Sequence, residues 1–180
     1  MKTDFLFQLI NAYGVSGFED PVREMIKNQM KGLVAKIYVD KMGNLICHKK
    51  GTGKKIMLAA HMDEVGLIIK KMSNSGKIFF SVVGGLESIS LIGQKVHIQT
   101  LFEGKPIHGI ITFPQLQEAR ELSDNVPRFD ELYVDTGLNG EQLKKAGVKI
   151  GNYIVMEEKA YFFKTEIPKE AQEELKSKLK

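Results

Sequence analysis

The chain has 180 residues, of which 43% are hydrophobic and 27% charged. That balance supports one ordinary domain or two small ones with a real core, and it excludes disorder as the main state. The net charge is +4, but the lysines fall in scattered pairs (Lys49-Lys50, Lys54-Lys55, Lys70-Lys71, Lys144-Lys145) among acids, without interleaved aromatics; this is a solvated surface and argues against nucleic acid as a partner.

Cys47 is the single cysteine, which precludes a disulfide within the chain. Its apolar neighbours Leu45 and Ile46 mark it as a buried structural thiol. Asp4 interrupts the N-terminus, so it does not read as a signal peptide. No stretch approaches the roughly twenty apolar residues of a membrane span. The expected location is the cytoplasm.

In chain order, Phe5, Leu6, Leu9, Ile10 and Tyr13 recur at helical spacing and predict an amphipathic helix over 4–13. Gly14-Val15-Ser16-Gly17 breaks it. Ser16 or Asp20 can cap a second helix, with Pro21 in its first turn and Val22, Met25, Ile26 and Met30 on its apolar face; Gly32 ends it. A strand over 34–39, a turn at Asp40-Lys41-Met42-Gly43-Asn44 and a short strand at 45–48 follow, then a second turn at Gly51-Thr52-Gly53. The continuous apolar run 56–60 suits a central strand buried on both faces and ending at His61. Residues 65–70 read as another strand.

After Ser73-Asn74-Ser75-Gly76 the pattern changes to short strands between glycine turns, at 78–83, 95–100, 107–112, 132–134 and 153–156, with one helix at 140–146. This is the grammar of a small all-β barrel or sandwich. Residues 168–180 are charged and helix-prone, with a thin apolar face of Leu175 and Leu179.

His61 and Asp63 close the predicted central strand, at the sheet edge where ligands bind in α/β folds. Imidazole is a good ligand for zinc or cobalt. A carboxylate two residues on can bond the other ring nitrogen, fixing its tautomer. Glu64 adds acidic character. By itself His-x-Asp is a weak signal, since a histidine at a strand end is more often structural.

Four ordered segments strengthen it: Gly14-Val15-Ser16-Gly17-Phe18-Glu19, Asp40-Lys41-Met42-Gly43-Asn44-Leu45, Ala60-His61-Met62-Asp63-Glu64-Val65-Gly66 and Val83-Gly84-Gly85. Together with Leu132 to Gly137 and Gly147 to Asn152, they resemble the tetrahedral (TET) glutamyl-aminopeptidase family of metallopeptidases, whose members often carry the label endoglucanase or cellulase. The resemblance runs from about residue 5 to residue 158. It implies an α/β catalytic domain with two adjacent metals, zinc or cobalt, that activate water against the N-terminal peptide bond. It also implies an inserted β-rich dimerisation domain and assembly into large shells. His61 would be a metal ligand and Asp63 the catalytic-site acid that orients it. The implied fold is therefore α/β: a partial metallopeptidase-type sheet over 1–71, an inserted small all-β, barrel-like dimerisation domain over 72–157, and a charged helical tail over 158–180.

The resemblance also has gaps. Family members are about twice this length, and the later Asp-Asn-Arg, Glu-Glu, Asp and His elements that complete their metal site have no counterpart. Asp124-Asn125 reads as a loop of the insert, and Glu157-Glu158 as a solvated strand end. Pro114 lacks the histidine that commonly stands beside it. One histidine cannot hold two metals, because a catalytic zinc takes about three protein ligands plus water. His48, His97 and His108 lie elsewhere, on a neighbouring strand and in the insert.

The sequence thus reads as an aminopeptidase relative cut short, inactive as an isolated chain and not stably holding metal alone. It would act on peptides only if a second chain supplied the missing half. An alternative is a non-catalytic assembly module that pairs with itself or with a full-length relative through the β insert. A small β-domain binder unrelated to peptides is a third reading. An open half-sheet would be an aggregation hazard unless the tail or a partner covered it.

Overall fold

The computed structural model describes residues 3–100, 106–114 and 126–157. Helix α1 (Thr3–Ile10) and helix α2 (Asp20–Met30) precede a two-stranded antiparallel hairpin, β1 (Lys36–Val39) with β2 (Leu45–His48). Six strands then close a barrel: β3 (Gly66–Met72), β4 (Ile78–Val83), β5 (Lys95–Ile98), β6 (Ile107–Thr112), β7 (Tyr133–Asp135) and β8 (Tyr153–Met156), in the order β3-β4-β7-β6-β5-β8. Every neighbouring pair is antiparallel. Two short helices, α3 (Ser88–Leu91) and α4 (Gly140–Lys145), pack on it. The chain is thus α/β with a closed barrel.

Period-2 alternation builds the barrel core. Leu67 and Ile69 on β3, Ile78 and Phe80 on β4, Val96 and Ile98 on β5, Ile111 on β6, Val134 on β7 and Ile154 on β8 all point inward and are buried. Closure leaves no unpaired edge. Helix α4 begins with a reciprocal capping box between Asn139 and Gln142 and plugs the core with Leu143. The turn at Ser73–Gly76 fits beneath its start: the Gly140 amide donates to the Asn74 carbonyl at 3.0 Å. Any side chain at Gly76 would overlap the Leu138 carbonyl.

Barrel strands fall close to their expected positions. β3 begins at Gly66, so the barrel takes in residues that the sequence reading assigns to the N-terminal part. Helix α3 went unforeseen because four residues carry too little periodicity to register. The expected tail helix lies outside the described residues.

On the other side, the turn at residues 40–44 forms as expected. Asp40 Oδ1 accepts from the Met42 and Asn44 amides at 2.9 Å each, and Oδ2 accepts from the Asn44 side chain at 2.8 Å. The Asn44 amide group, foremost, holds the Asp40 carboxyl below the usual carboxylate range. Arg23 of α2 donates Nε–H to the Gly43 carbonyl at 2.8 Å and ties the helix to this turn. Cys47 is half-buried, not the buried thiol expected, because a two-stranded hairpin has only one covered face.

The central strand expected over 56–60 is absent. Those residues form no strand, and Ile56, Met57 and Leu58 are 84%, 86% and 94% exposed. A strand exists only by hydrogen bonding to neighbours, and among the described residues none lies beside this run. No helix among the described residues is long and apolar enough to cross a membrane.

The α-helical side meets the barrel through aromatic contacts. Phe18 stacks on Tyr153 with centroids 5.4 Å apart, and Tyr13 sets its ring edge-on to His97 at 4.1 Å. His97 is buried and accepts from the Gln99 amide group at 2.8 Å through Nε2. Burial pushes its ring pKa below that of free imidazole, with Glu157 pulling up and His108 pulling down.

Two outcomes test this packing. Phe80→Ala should cost about 3–5 kcal/mol in denaturant unfolding, as expected for an aromatic lost from a sealed core, while Met57→Ala should stay within about 0.5 kcal/mol. For His97, the unfolded ring takes its proton near pH 6.5 and the folded ring only at lower pH. Its contribution is therefore complete above pH 6.5 and lost as pH falls below it. The unfolding midpoint should drop over that window, and His97→Gln should flatten the drop.

Candidate functional site

Residues 61–66 run along the loop that follows α1. Val15 and Glu64 form a parallel bridge: the Glu64 amide donates to the Gly14 carbonyl at 2.7 Å and the Ser16 amide to the Glu64 carbonyl at 3.3 Å. The Glu64 carboxylate accepts from the Gly14 amide at 3.1 Å. Glu64 therefore braces this loop rather than simply adding charge beside His61.

Two glycines allow the approach. A Cβ on Gly66 would meet Val15 Cγ1 at 2.8 Å, and one on Gly14 would meet Val22 Cγ2 at 2.6 Å. Val15 fills the space and is fully buried. One turn of chain further on, Gly84 (φ +92°) leaves room for Val65, whose Cγ1 would lie 2.7 Å from a Cβ there.

On this frame sits His61. Its Nδ1 lies 2.9 Å from the Asp63 carbonyl oxygen and 3.2 Å from Asp63 Oδ1. A carbonyl oxygen only accepts, so Nδ1 carries the proton and Nε2 keeps its lone pair. The side chain is 85% exposed. Asp63 Oδ2 accepts from the Ser16 hydroxyl. That bond, foremost, together with the His61 ring, holds the Asp63 carboxyl below the usual carboxylate range.

The expected pair is thus brought together, with Asp63 at Nδ1 and Nε2 left open. Its setting differs from expectation: it follows an exposed, unpaired segment instead of ending a buried strand. Ser16 and Asp20 are the alternative caps expected for α2, and neither caps it: the helix starts at Asp20 behind Glu19, with no side-chain cap. Gly17 at φ +88° turns the chain away between them. A serine followed directly by a glycine at positive φ was the available sign that Ser16 serves something other than the helix.

The other candidates lie apart. His97 and His108 are cross-strand partners on β5 and β6. His108 Nδ1 pairs with the Glu157 carboxylate, whose side chain is 22% exposed; Glu157 is a hydrogen-bond partner of His108, not the solvated strand end expected. His48 ends β2. Asp124, Asn125 and Glu158 lie outside the described residues. Among the described residues, no three His, Cys, Asp or Glu side chains converge to hold a metal ion. The donor chemistry of His61 fits a single ligand; it does not make a site.

Comparison with known proteins gives the context. The family profile described as M42 glutamyl aminopeptidase matches residues 43–171. A protein of Acetivibrio thermocellus assigned as an aminopeptidase is 35% identical over 156 residues, covering 84% of this chain and 44% of its own length. The lysyl aminopeptidase of Pyrococcus furiosus is 30% identical, covering 82% and 43%. Among solved structures, an aminopeptidase from Desulfurococcus kamchatkensis aligns with a TM-score of 0.82 at 30% identity, covering 90% of this chain and 44% of that one. A Thermotoga maritima protein described as an endoglucanase aligns at 0.73 and 34%, covering 89% and 46%. The TET1 peptidase of Pyrococcus horikoshii, described as assembling into a tetrahedron or a large octahedral shell, aligns at 0.73 and 29%, covering 86% and 46%. The chain spans less than half the length of each of these relatives.

The loop docking makes its own prediction. Gly66→Ala forces Val15 out of its socket and should cost about 1–3 kcal/mol, the usual penalty of overpacking. Native-state exchange should quicken at the Ser16 and Glu64 amides in step.

Proposed function

The chain belongs to the M42 glutamyl aminopeptidase family, and from that premise we propose that residues 59–66 supply one corner of a metal-dependent site that removes N-terminal residues from peptides. His61 is the ligand in this reading and Asp63 the acid that orients it. The carrying observation is the Asp63 contact to Nδ1, which leaves Nε2 open on an exposed ring. A divalent zinc or cobalt ion bound there would supply Lewis acidity toward a peptide carbonyl. The chain's own residues orient the imidazole and keep its proton on Nδ1.

In this reading the isolated chain is inactive and does not hold metal stably, because one histidine and its orienting acid fall short of the roughly three protein ligands that a catalytic zinc takes. Activity, in the cytoplasm, requires the remaining ligands from the part of the relatives that this chain does not match. The exposed run Ile56-Met57-Leu58 is where a complementing chain would add strands.

A second reading, an assembly module, is favoured by one observation. The barrel closes on itself with a complete core, so it can present a fixed surface to another copy or to a longer relative.

The test is to incubate the purified chain with cobalt or zinc and an aminoacyl chromogenic substrate. No metal-dependent turnover is expected. Adding a chain that carries the unmatched part of a relative should restore turnover, and His61→Ala should abolish it. In the restored complex, Asp63→Ala should weaken metal affinity by about 10–100-fold. Turnover by the chain alone that vanishes in His61→Ala would overturn the inactivity. Sedimentation of the chain alone should show a dimer or larger, and a clean monomer would count against the module.

A further inference from the structure

We propose that Ser16 is a positioning residue for His61: acting through Asp63, its hydroxyl holds the imidazole in the Nδ1–H form with Nε2 turned outward. The functional meaning rests on His61 being a metal ligand, but the geometric content belongs to the chain alone.

The argument starts from the freedom of a carboxylate on an irregular segment. Residues 61–63 belong to no strand, and the Asp63 side chain is 39% exposed. Unrestrained, its carboxylate would rotate in water and leave the ring. One oxygen, Oδ2, is instead occupied by the Ser16 hydroxyl, which leaves Oδ1 turned to His61 Nδ1 at 3.2 Å. A carboxylate accepts only, so the hydroxyl must donate. A hydrogen bond to an ionised acceptor is stronger than a neutral one, which suits it to hold a rotor in place.

Ser16 can do this because its own backbone is bonded in place. Its amide donates to the Glu64 carbonyl, and the Glu64 amide and carboxylate both bond Gly14 two residues earlier. Val15, fully buried between them, seats the rung. The hydroxyl therefore projects from a three-point clamp onto the residue immediately before Glu64, and the clamp and its target share one short segment.

The consequence is chemical. An imidazole freed from its Nδ1 acceptor can place its proton on Nε2, which removes the lone pair a metal needs. The Asp63 carbonyl alone faces Nδ1 with one bond; the carboxylate adds a second and supplies the negative charge. Removing the Ser16 hydroxyl takes away the anchor of the charged arm and leaves the clamp intact.

The experiment uses the full chain with 15N-labelled histidine and reads the ring nitrogen shifts at pH 8, with His61 assigned by its absence in His61→Ala. The parent should show a protonated Nδ1 and a bare Nε2. Ser16→Ala should move both nitrogens part of the way toward the averaged values of a free histidine, since the Asp63 carbonyl still accepts from Nδ1, and Ser16→Thr, which keeps the hydroxyl, should restore the separation. Zinc titration by calorimetry, carried out on the complex restored with the unmatched part of a relative, is the second readout, with affinity falling about tenfold or more in Ser16→Ala. An unchanged ring pattern in Ser16→Ala, or a parent ring protonated on Nε2, would overturn the inference. So would loss of Glu64 amide exchange protection in Ser16→Ala without rescue by threonine, because Ser16 would then be serving the loop and not the ring. Zinc binding that His61→Ala leaves untouched would remove the metal-ligand reading, while the ring shifts would still decide the role of Ser16.

Discussion

The arrangement depends on one steric constraint: a backbone approach that only glycine permits. Val15 reaches Glu64 in strand-like register because Gly66 has no side chain to hold it off. Val65 points the other way and finds the same permission at Gly84. These two contacts pin the segment 62–66 between the α1–α2 loop and the first hairpin of the barrel. Once it is pinned, Tyr13 falls on His97, Phe18 on Tyr153 and Ser16 on Asp63. Three of the four segments behind the family resemblance meet at this joint, which gives their residue types a physical cause. The fourth, at residues 40–44, is a separate device: an aspartate-closed turn gripped by Arg23.

How far the sequence could be read follows from where each element gets its stability. Barrel strands carry their own signal, because inward and outward positions alternate and the core answers that alternation residue by residue. Helix α4 was legible for a similar reason, since Asn139 and Gln142 write the capping box into the chain. Residues 56–60 carry no such local signal. An unbroken apolar run states a preference for burial without naming a partner, and what it becomes depends on what lies beside it. Here no described strand pairs with it, and the run stays unpaired and exposed. Ser16 was misread for a related reason. Its sequence neighbours suggest a helix cap, while its hydrogen-bond partner lies 47 residues away.

The candidate site was half legible. His61 and Asp63 stand two apart and do pair, because a contact at that separation is nearly local. That Glu64 braces the loop, and that Glu157 pairs with His108 across the barrel, could not be read from the chain. Both depend on strand register, and a shift of one residue would send either carboxylate to the opposite face.

The two sides of the molecule therefore differ in self-sufficiency. Among the described residues, the barrel pairs each strand with two neighbours and packs one buried apolar core. The other side ends in a two-stranded hairpin and an apolar run that faces water. His61 lies at the border between them, held from the finished side. Its ring is oriented through Asp63, Asp63 is anchored by Ser16, and Ser16 is fixed by the glycine-permitted joint to the barrel. The orientation of this one ring thus rests on contacts made from the barrel side. Nε2 is thereby left open on an exposed ring, with its direction set from the side of the protein that fills its own core.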